Sequence, residues 1–416
     1  MKTQVKLLLG VSIIFLTTTG WAQEKTEQKE RDFQLTFITP LGTNGVESKN
    51  IINKFSINII AGYSGGLQGT EFGGVANILK GDMKGAQFAG YANINLAKGK
   101  GFQGAGVLNF NHKEFRGSQF AGGANVILSD AKAFQASGFA NVVNGKLKGH
   151  QFAGFANVVT DSLRGFQGAG FGNYSMGNSR GQVSGFTNFN VGEIKGPQIT
   201  GFSNINMGDI KGVQLAGFAN ISTDRLQGVQ ISGFFNYAKK LKGFQLGVFN
   251  YIDSLESGVS VGVISFIRNG YHTFEVSGNE SLNGVISYKT GTRSFYNILA
   301  VGASGRNEMI YWGWGYGIGT ILPISKRVDL NFEGTCFQIN ENKWYNDHIN
   351  LLNKVSISLL INVTDNFTIF AGPTWNVMVS DIGQNSKFVP WHTFNKTYDN
   401  DINVKMYPGF NVGMRF

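Results

Sequence analysis

Between Glu71 and Ser265, polar and apolar residues recur with a period of 16 residues, and the glutamines from Gln87 to Gln245 keep this step apart from two single-residue deletions. Thirteen copies can be counted, and their consensus core reads Gly-x-Gln-x-Ala-Gly-Phe-x-Asn. A short fixed period predicts one supersecondary unit that is copied many times and buries its surface against its neighbours. In the first regular copies the polar series comprises Gln87, Gln103, Gln119, Gln135, Gln151 and Gln167, followed six residues later by Asn93, Asn109, Asn125, Asn141, Asn157 and Asn173.

Within a copy, polar and apolar residues alternate with the period of a β-strand. Around Gln151, one face carries Phe152, Gly154, Ala156 and Val158, and the other carries Gln151, Ala153, Phe155 and Asn157. Each copy therefore predicts a strand of about ten residues, which when tilted matches the apolar thickness of a bilayer. The connection, as in Asn144 to Gly149, is long enough for a tight reversal.

Two architectures fit this repeat. In a β-solenoid each copy is one rung and equivalent positions stack in parallel. In an up-and-down barrel each copy is one strand and neighbours run antiparallel.

The position of phenylalanine favours the barrel. It follows the glutamine in one copy and precedes it in the next, so alternate reversal of the strands would bring all of these rings to one height. This is the arrangement of an aromatic girdle at a membrane interface. Parallel rungs would instead give two columns of alternating large and small residues. The proposed girdle consists of Phe88, Phe102, Phe120, Phe134, Phe152 and Phe166.

Charge also favours the barrel, since a cation occurs in nearly every connection. Parallel rungs would align these cations about 4.8 Å apart along one edge, where they would repel. Antiparallel strands would send them to two rims, within reach of lipid phosphates. The series is Lys84, Lys100, Arg116, Lys132, Lys148, Arg164, Arg180, Lys195, Lys211 and Lys242.

One observation counts against the barrel. Strict alternation places a second set of aromatic residues on the same face as the glutamines and asparagines, and a wide water-filled lumen should not be lined with phenylalanine. This second set comprises Tyr91, Phe139, Phe155, Phe171, Phe186, Phe202, Phe218 and Phe234.

The last third of the chain alternates more simply, ending in a strand with Val404, Met406, Phe410, Val412, Met414 and Phe416 on one face. The connections Asn340 to Leu351 and Val379 to Asp401 are long, and Thr364 to Asn366 is short. This asymmetry is typical of outer-membrane barrels. Together with leading strands at Phe33 to Pro40 and Lys54 to Tyr63, the count predicts about 22 strands.

The N-terminus has the features of a secretory signal at residues 1–22: Lys2 and Lys6, an apolar run, and the small-residue site Gly20-Trp21-Ala22. Residues 23–31 are predicted as a linker and 32–416 as the barrel. Within it, 71–265 is the repeat region and 266–416 holds the non-repeat C-terminal strands.

Composition narrows the class of protein. Gly (58 residues) and Phe (35 residues) are abundant and only 15% of residues are charged, which is typical of an all-β protein. The net charge of +10 would suit nucleic acid, but export makes anionic lipid headgroups the expected partner. Cys336 is the single cysteine, so no internal disulfide can form.

The Gly-x-Gln-x-x-Gly-x-x-Asn copies resemble those of bacterial surface-repeat-containing proteins, and the strand that ends in Phe416 resembles the assembly signal of outer-membrane β-barrels. The resemblance covers about half of the chain through the repeat. It implies an envelope location and brings no catalytic residues.

Catalytic chemistry has little support in the sequence. The five histidines are scattered and none belongs to a spaced metal motif. A hydrolase site in the outer loops would use Asp347-His348 or His392. Solvated loop histidines are the simpler interpretation, so we expect no catalytic, cofactor or metal site.

The prediction is thus an all-β, large antiparallel up-and-down outer-membrane β-barrel of about 22 strands, non-enzymatic, and structural or pore-forming for solute passage. The glutamine and asparagine series is predicted to face inward, towards the lumen, and the opposite face of each strand to face lipid. Its partners would be outer-membrane lipids, with small solutes or an extracellular surface ligand, and no nucleic acid. The alternative is a β-solenoid of 16-residue rungs, a surface binding or adhesion module anchored by a smaller C-terminal barrel.

Overall fold

The computed structural model describes residues 29–306, 309–341, 348–382, 388–398 and 402–416. The predicted signal peptide, 1–22, lies outside these residues. The described chain is all-β, as predicted, with one short 3-10 helix at Gly45–Asn50. It forms one parallel sheet system that ends at Ile267 and one antiparallel sheet that begins at Tyr271.

The repeat region is a parallel β-solenoid of about 14 turns. Each turn contributes a longer and a shorter strand, and both pair in parallel with the equivalent strands of the neighbouring turns. Thus Gln151 pairs with Gln167 and Asn157 with Asn173. The prediction of a large antiparallel barrel of about 22 strands is therefore wrong, and the solenoid alternative is correct.

The longer strands form the long-strand sheet and the shorter ones the short-strand sheet, and four strands take part in both sheets. The long-strand sheet holds β1 (Lys29–Ile38), β4 (Gly66–Gly73), β6 (Met83–Ala89), β8 (Gly99–Ala105), β10 (Phe115–Ala121), β12 (Ala131–Ser137), β14 (Leu147–Lys148), β15 (His150–Ala153), β17 (Leu163–Arg164), β18 (Phe166–Ala169), β20 (Gly181–Ser184), β22 (Ile194–Thr200) and β24 (Ile210–Ala216). The short-strand sheet holds β5 (Ala76–Leu79), β7 (Ala92–Asn95), β9 (Leu108–Asn111), β11 (Ala124–Ile127), β13 (Ala140–Val143), β16 (Ala156–Val159), β19 (Gly172–Ser175), β21 (Thr187–Asn190), β23 (Ser203–Asn206) and β28 (Ile264–Ile267). Strands β3 (Ile51–Ser64), β25 (Ala219–Ser232), β26 (Phe235–Leu246) and β27 (Phe249–Val261) span both, and β2 (Leu41–Gly42) pairs only with β1.

A tight bend at Gly154-Phe155, repeated in each turn, joins the two sheets. A Cβ at Gly154 would collide with the carbonyl oxygen of Gly138 in the turn before. Because the chain turns at this point, the alternation of the long strand does not continue through the bend. Phe155 therefore lies on the outside of the solenoid, half-exposed, and not on the face of Gln151.

Both arguments that favoured the barrel fail for physical reasons. The cation row does stack along one edge, but all ten side chains are exposed, where solvent and salt weaken repulsion. Glu193 also bridges Lys195 and Lys211 at 3.3 and 3.2 Å. Likewise the copies do not alternate in direction, so Phe88 and its equivalents form no girdle.

The N-terminal end of the solenoid is closed by residues 39–50. Thr43 N donates to Leu35 O, and this bond covers the otherwise open edge of β1. Inside the turn, Asn44 Nδ2 donates to Gln34 Oε1 at 2.7 Å. Strand edges that lack such cover promote edge-to-edge aggregation.

The C-terminal strands pair antiparallel in chain order, and the last one pairs with the first, which closes a barrel of eight strands. A ninth strand, β36 (Phe394–Thr397), adds to β37 only. The closed set is β29 (Tyr271–Asn279), β30 (Gly284–Thr292), β31 (Phe295–Arg306), β32 (Met309–Pro323), β33 (Val328–Glu341), β34 (Asn350–Thr364), β35 (Phe367–Ser380) and β37 (Asn403–Arg415).

The two rims of this barrel differ. One rim holds the connections 293–294, 324–327 and 365–366 together with Phe416, and we call it the short-turn rim. At the opposite rim β33 ends at Glu341 and β34 begins at Asn350, β35 ends at Ser380 and β37 begins at Asn403, and the short connection 280–283 joins β29 to β30. The solenoid joins the barrel at the short-turn rim through residues 268–270.

Candidate binding surface

The glutamine series lies inside the solenoid, where it forms a hydrogen-bonded ladder. Gln167 Nε2 donates to Gln151 Oε1 at 2.9 Å, and Gln151 Nε2 donates to Gln135 Oε1 at 2.8 Å. The side chains are fully buried. A buried amide without hydrogen-bond partners would destabilise the folded protein. The ladder avoids this because each glutamine finds its partners in the neighbouring turns.

The asparagine ladder runs beside it in the opposite direction. Asn157 Nδ2 donates to Asn173 Oδ1 at 2.9 Å in the following turn. It also donates to the backbone oxygen of Gly168 at 2.7 Å, and so ties the short strand of one turn to the long strand of the next. Because donors point towards the N-terminus in one ladder and towards the C-terminus in the other, the two rows of amide dipoles oppose each other.

The rest of the core is mainly apolar, although Asn95, Asn111, Asn190 and Asn206 are buried at the position that Val159 occupies in its own turn. Leu147 and Val159, with their equivalents in other turns, pack at the side of the core away from the Gly-Phe bend. The sequence-predicted polar series, from Gln87 to Asn173, therefore faces a dry core and not a lumen. A solute cannot run along it, and its role is structural.

Glu71 occupies the position of glutamine in an early turn and ends the ladder. Its Oε2 accepts from Gln87 Nε2 at 2.8 Å and its Oε1 from Asn58 Nδ2 at 2.9 Å. Burial raises the pKa of this carboxyl to about 7, and the bonds from Gln87 and Asn58 oppose that rise only in part.

On the outside of the long-strand sheet, the alternating phenylalanines converge into a single file, which we call the zigzag column. Ring centroids of neighbouring turns lie 5.3 Å apart for Phe88 and Phe102, and 5.7 Å apart for Phe134 and Phe152. Small residues such as Gly104 and Ala136 fill the vacated positions. The column comprises Phe33, Phe55, Phe72, Phe88, Phe102, Phe120, Phe134, Phe152 and Phe166.

A second file, the edge column, follows the Gly-Phe bend. Here the rings stack almost flat: the planes of Phe155 and Phe171 lie 8° apart and their centroids 4.8 Å apart. Sequence reasoning placed these residues inside, although the glycine before each of them is the signal for a bend. The edge column comprises Phe139, Phe155, Phe171, Phe186, Phe202, Phe218 and Phe234.

A groove of about 720 Å³ runs beside the zigzag column. Its floor is made of small residues, among them Ala121, Ser137 and Ala153, and Phe120 and Phe152 form one side. The cation row, from Lys84 to Lys242, lies on the same outer face as the zigzag column. Lys148 and Phe152 lie in the consecutive strands β14 and β15 of one turn, and both are exposed. The long-strand sheet thus presents an aromatic file beside a cationic file.

The interior of the eight-stranded barrel is filled. Lys289 Nζ donates to Glu275 and to Glu333, and Arg415 Nη2 donates to Glu333 Oε1 at 2.9 Å. Tyr296 OH donates to the same oxygen at 2.7 Å. Eight strands leave room only for side chains, so this geometry gives no support to the predicted pore.

The chemistry of the described residues is sparse. His348 Nδ1 lies 3.3 Å from Asp381 Oδ1, with both side chains partly exposed, and His392 is exposed. Asp347 lies outside the described residues. Among those that the structure describes, no serine hydroxyl bonds to either histidine, and no group of three His, Cys, Asp or Glu side chains could hold a metal ion.

Within the described ranges, no helix is long and apolar enough to cross a membrane. Comparisons with protein-family models, with curated proteins and with solved structures find no match for this chain. Its class is therefore defined by the fold: a parallel β-solenoid followed by a small antiparallel sheet closed on itself.

Proposed function

We propose that the protein is a non-enzymatic binding module, in which the solenoid presents the ligand-binding surface and the C-terminal barrel anchors it in the bacterial outer membrane. The observation that carries the binding role is the pairing of the zigzag column with the cation row. Both repeat once per turn, about 4.8 Å apart. A ligand that contacts both over many turns is extended, negatively charged and partly apolar.

The anchor is supported by the distribution of side chains in the barrel. Val301, Ile286 and Trp314 point outwards and are 56–63% exposed. Glu333, Lys289 and their neighbours point inwards. The interior also holds an apolar cluster that includes Ile298, Phe337 and Met378. The support for the anchor is therefore the outward band of apolar side chains, which is the arrangement of a strand protein in lipid.

The rim at which the solenoid leaves the barrel indicates on which side of the membrane the solenoid lies. In outer-membrane barrels the short turns face the periplasm, and the solenoid leaves this barrel at the short-turn rim. This favours a ligand inside the envelope, whereas a solenoid on the outer side would be an adhesion module. Labelling of Lys148→Cys in a Cys336→Ser background, in intact and in permeabilised cells, distinguishes the two sides.

The binding role is tested with the full-length protein in lipid nanodiscs and dextran sulfate as an extended polyanion. Replacing Lys100, Arg116, Lys132 and Lys148 with glutamine should weaken binding about tenfold or more, because each exposed pair contributes a fraction of a kcal/mol. Neutral dextran is the control ligand, and Lys98→Gln with Lys146→Gln is the control variant, since both lie outside the row. Equal affinities for all proteins would contradict the proposal.

A further inference from the structure

The outer side of the short-strand sheet, which we call the short-strand face, is apolar along its whole length. Each turn places two side chains on it, from Ala76 and Ile78 in an early turn to Ile264 and Phe266 in the last. None of these positions is charged, and the polar groups are the hydroxyls of Thr187, Ser203 and the tyrosines Tyr174, Tyr237 and Tyr251. At about 4.8 Å per turn the face is roughly 60 Å long. Contiguous apolar patches of this size mark interaction surfaces.

The axis of the solenoid meets the side of the barrel. In the last turn, the backbone N–H and C=O of Ser265 point away from the preceding turn and towards the barrel. Its nitrogen donates to Asn297 Oδ1 at 3.0 Å, and its oxygen accepts from Thr290 Oγ1 at 3.0 Å. Their neighbours Lys289 and Tyr296 point into the barrel, so Thr290 and Asn297 point outwards. The solenoid therefore extends sideways from the barrel wall near the short-turn rim.

The short-strand face is continuous with the apolar wall of the barrel. Phe266 lies 4.9 Å from the His272 ring, His272 lies 6.2 Å from Tyr288, and Tyr288 lies 5.0 Å from Phe274. Tyr288 and Phe274 pair with each other, farther from the short-turn rim than the His272–Thr290 pair. The short-strand face is thus on the side of the solenoid towards the lipid-facing middle of the barrel.

We propose that the short-strand face lies on the lipid leaflet that surrounds the barrel at its short-turn rim. This inference rests on the proposed membrane anchor. Lipid can cover the face at no hydrogen-bonding cost, because the backbone groups of a stacked turn bond along the axis. The cation row lies on the opposite, long-strand sheet, where water and headgroups can solvate it. At the margin of the short-strand face, Asp253 accepts from Tyr237 and lies 4.0 Å from Arg268. The long-strand sheet is left free for its ligand.

The test is fluorescence quenching of the full-length protein in liposomes, with one labelled cysteine at a time in a Cys336→Ser background. Val158→Cys reports on the short-strand face. His150→Cys reports on the outside of the long-strand sheet in the same turn. Val301→Cys on the barrel wall is the matched reporter for the anchor. Quenchers are nitroxide-labelled phospholipid and aqueous iodide.

The proposal expects lipid quenching several times greater at Val158→Cys than at His150→Cys, with the opposite order for iodide. Lipid quenching at Val301→Cys but not at Val158→Cys would overturn the inference and leave the anchor standing. Absence of lipid quenching at both sites would overturn the anchor as well. Protection of Val158→Cys from both quenchers would show a protein partner, such as a second copy of the chain, and would also overturn it.

Discussion

At the scale of single residues, the solenoid depends on amides that repeat in register. Each glutamine of the Gln151 ladder and each asparagine of the Asn157 ladder accepts a bond from one neighbouring turn and donates to the other, so that these two ladders lack a partner only at their ends. The ends carry different residues. Ser265 closes the asparagine ladder by accepting from Asn250, and Glu71 begins the glutamine ladder with a carboxyl group.

The carboxyl of Glu71 makes the stability of the solenoid depend on pH. Its pKa is about 7 in the folded protein against a usual value of 4.5, so the folded state binds more protons between these values. The stabilisation is complete below about pH 4.5 and is lost as the pH rises through 7. We expect a loss of about 3 kcal/mol in the free energy of unfolding across this range.

Denaturant unfolding at pH 5 and pH 8 measures this loss. Glu71→Gln should remove most of the difference between the two pH values, and Glu47→Gln, an exposed carboxyl near the same end, should keep it. An unchanged difference in Glu71→Gln would show that another group is responsible.

At the scale of the elements, the bend between the two sheets decides where each side chain points. The bend brings Gly154 against the backbone of Gly138, and the same contact recurs in other turns. Elsewhere in most turns, Gly101 and its equivalents adopt a φ between 116° and 154°, which favours glycine, whereas Ala133 and Arg180 occupy this position in two turns. Gly101 also lies against the backbone of Gly85, so a side chain there would collide as well. Glycine at these two positions allows the turns to approach to strand-pairing distance.

Gly154→Ala should open the solenoid locally. The added methyl group would displace the Gly138 carbonyl and cost at least about 2 kcal/mol. Hydrogen exchange of peptides that contain residues 138–157 should accelerate strongly. Gly104→Ala is the matched control, because Ala136 fills the equivalent position two turns later and the nearest atoms are phenylalanine ring atoms. Equal exchange in both variants would contradict the role of the bend.

At the scale of the whole molecule, two sheets of opposite kind are joined by three residues and a set of side-chain bonds. Asn297 accepts from Ser265 N and donates to Gly262 O at 2.7 Å and to Tyr316 OH at 2.8 Å. It is fully buried although it points away from the barrel interior. The last turn of the solenoid, whose edge would otherwise be open, is covered in this way by the barrel wall.

Asn297→Ala should therefore loosen the last turn while the barrel stays closed. Three hydrogen bonds are lost and the nitrogen of Ser265 is left without its acceptor, which costs about 2–3 kcal/mol. Faster hydrogen exchange in residues 262–267 is the expected result. Asn366→Ala, in an exposed turn on the same rim, serves as the comparison and should leave that exchange unchanged. No acceleration in Asn297→Ala would mean that the junction is held by other contacts.

The filled barrel leads to a prediction about conductance. Because Lys289, Glu275, Glu333 and Arg415 close the interior through direct ion pairs, the full-length protein in planar bilayers should give no steady ion current. A general porin inserted in the same bilayers is the positive control. Regular conductance steps that depend on the amount of this protein would show that the interior opens.

The sequence by itself determined that the protein is all-β and that residues 71–265 are copies of one β unit with glutamine and asparagine at fixed positions. These follow from period and residue type. The direction of neighbouring copies was decided only by tertiary structure, because parallel and antiparallel strands place the same residues on the same two faces of a strand. Two clues pointed the wrong way, since the cost of a cation row such as Lys132 and Lys148 depends on exposure, and alternating phenylalanines such as Phe134 and Phe152 also fit a single file along parallel turns. Phe155 counted against the barrel, but its true position outside the solenoid depends on a bend. Exposure and bends exist only once the turns are stacked. For the same reason the closure of the last eight strands, and the apolar face that the solenoid shares with them, could be read only from the folded chain.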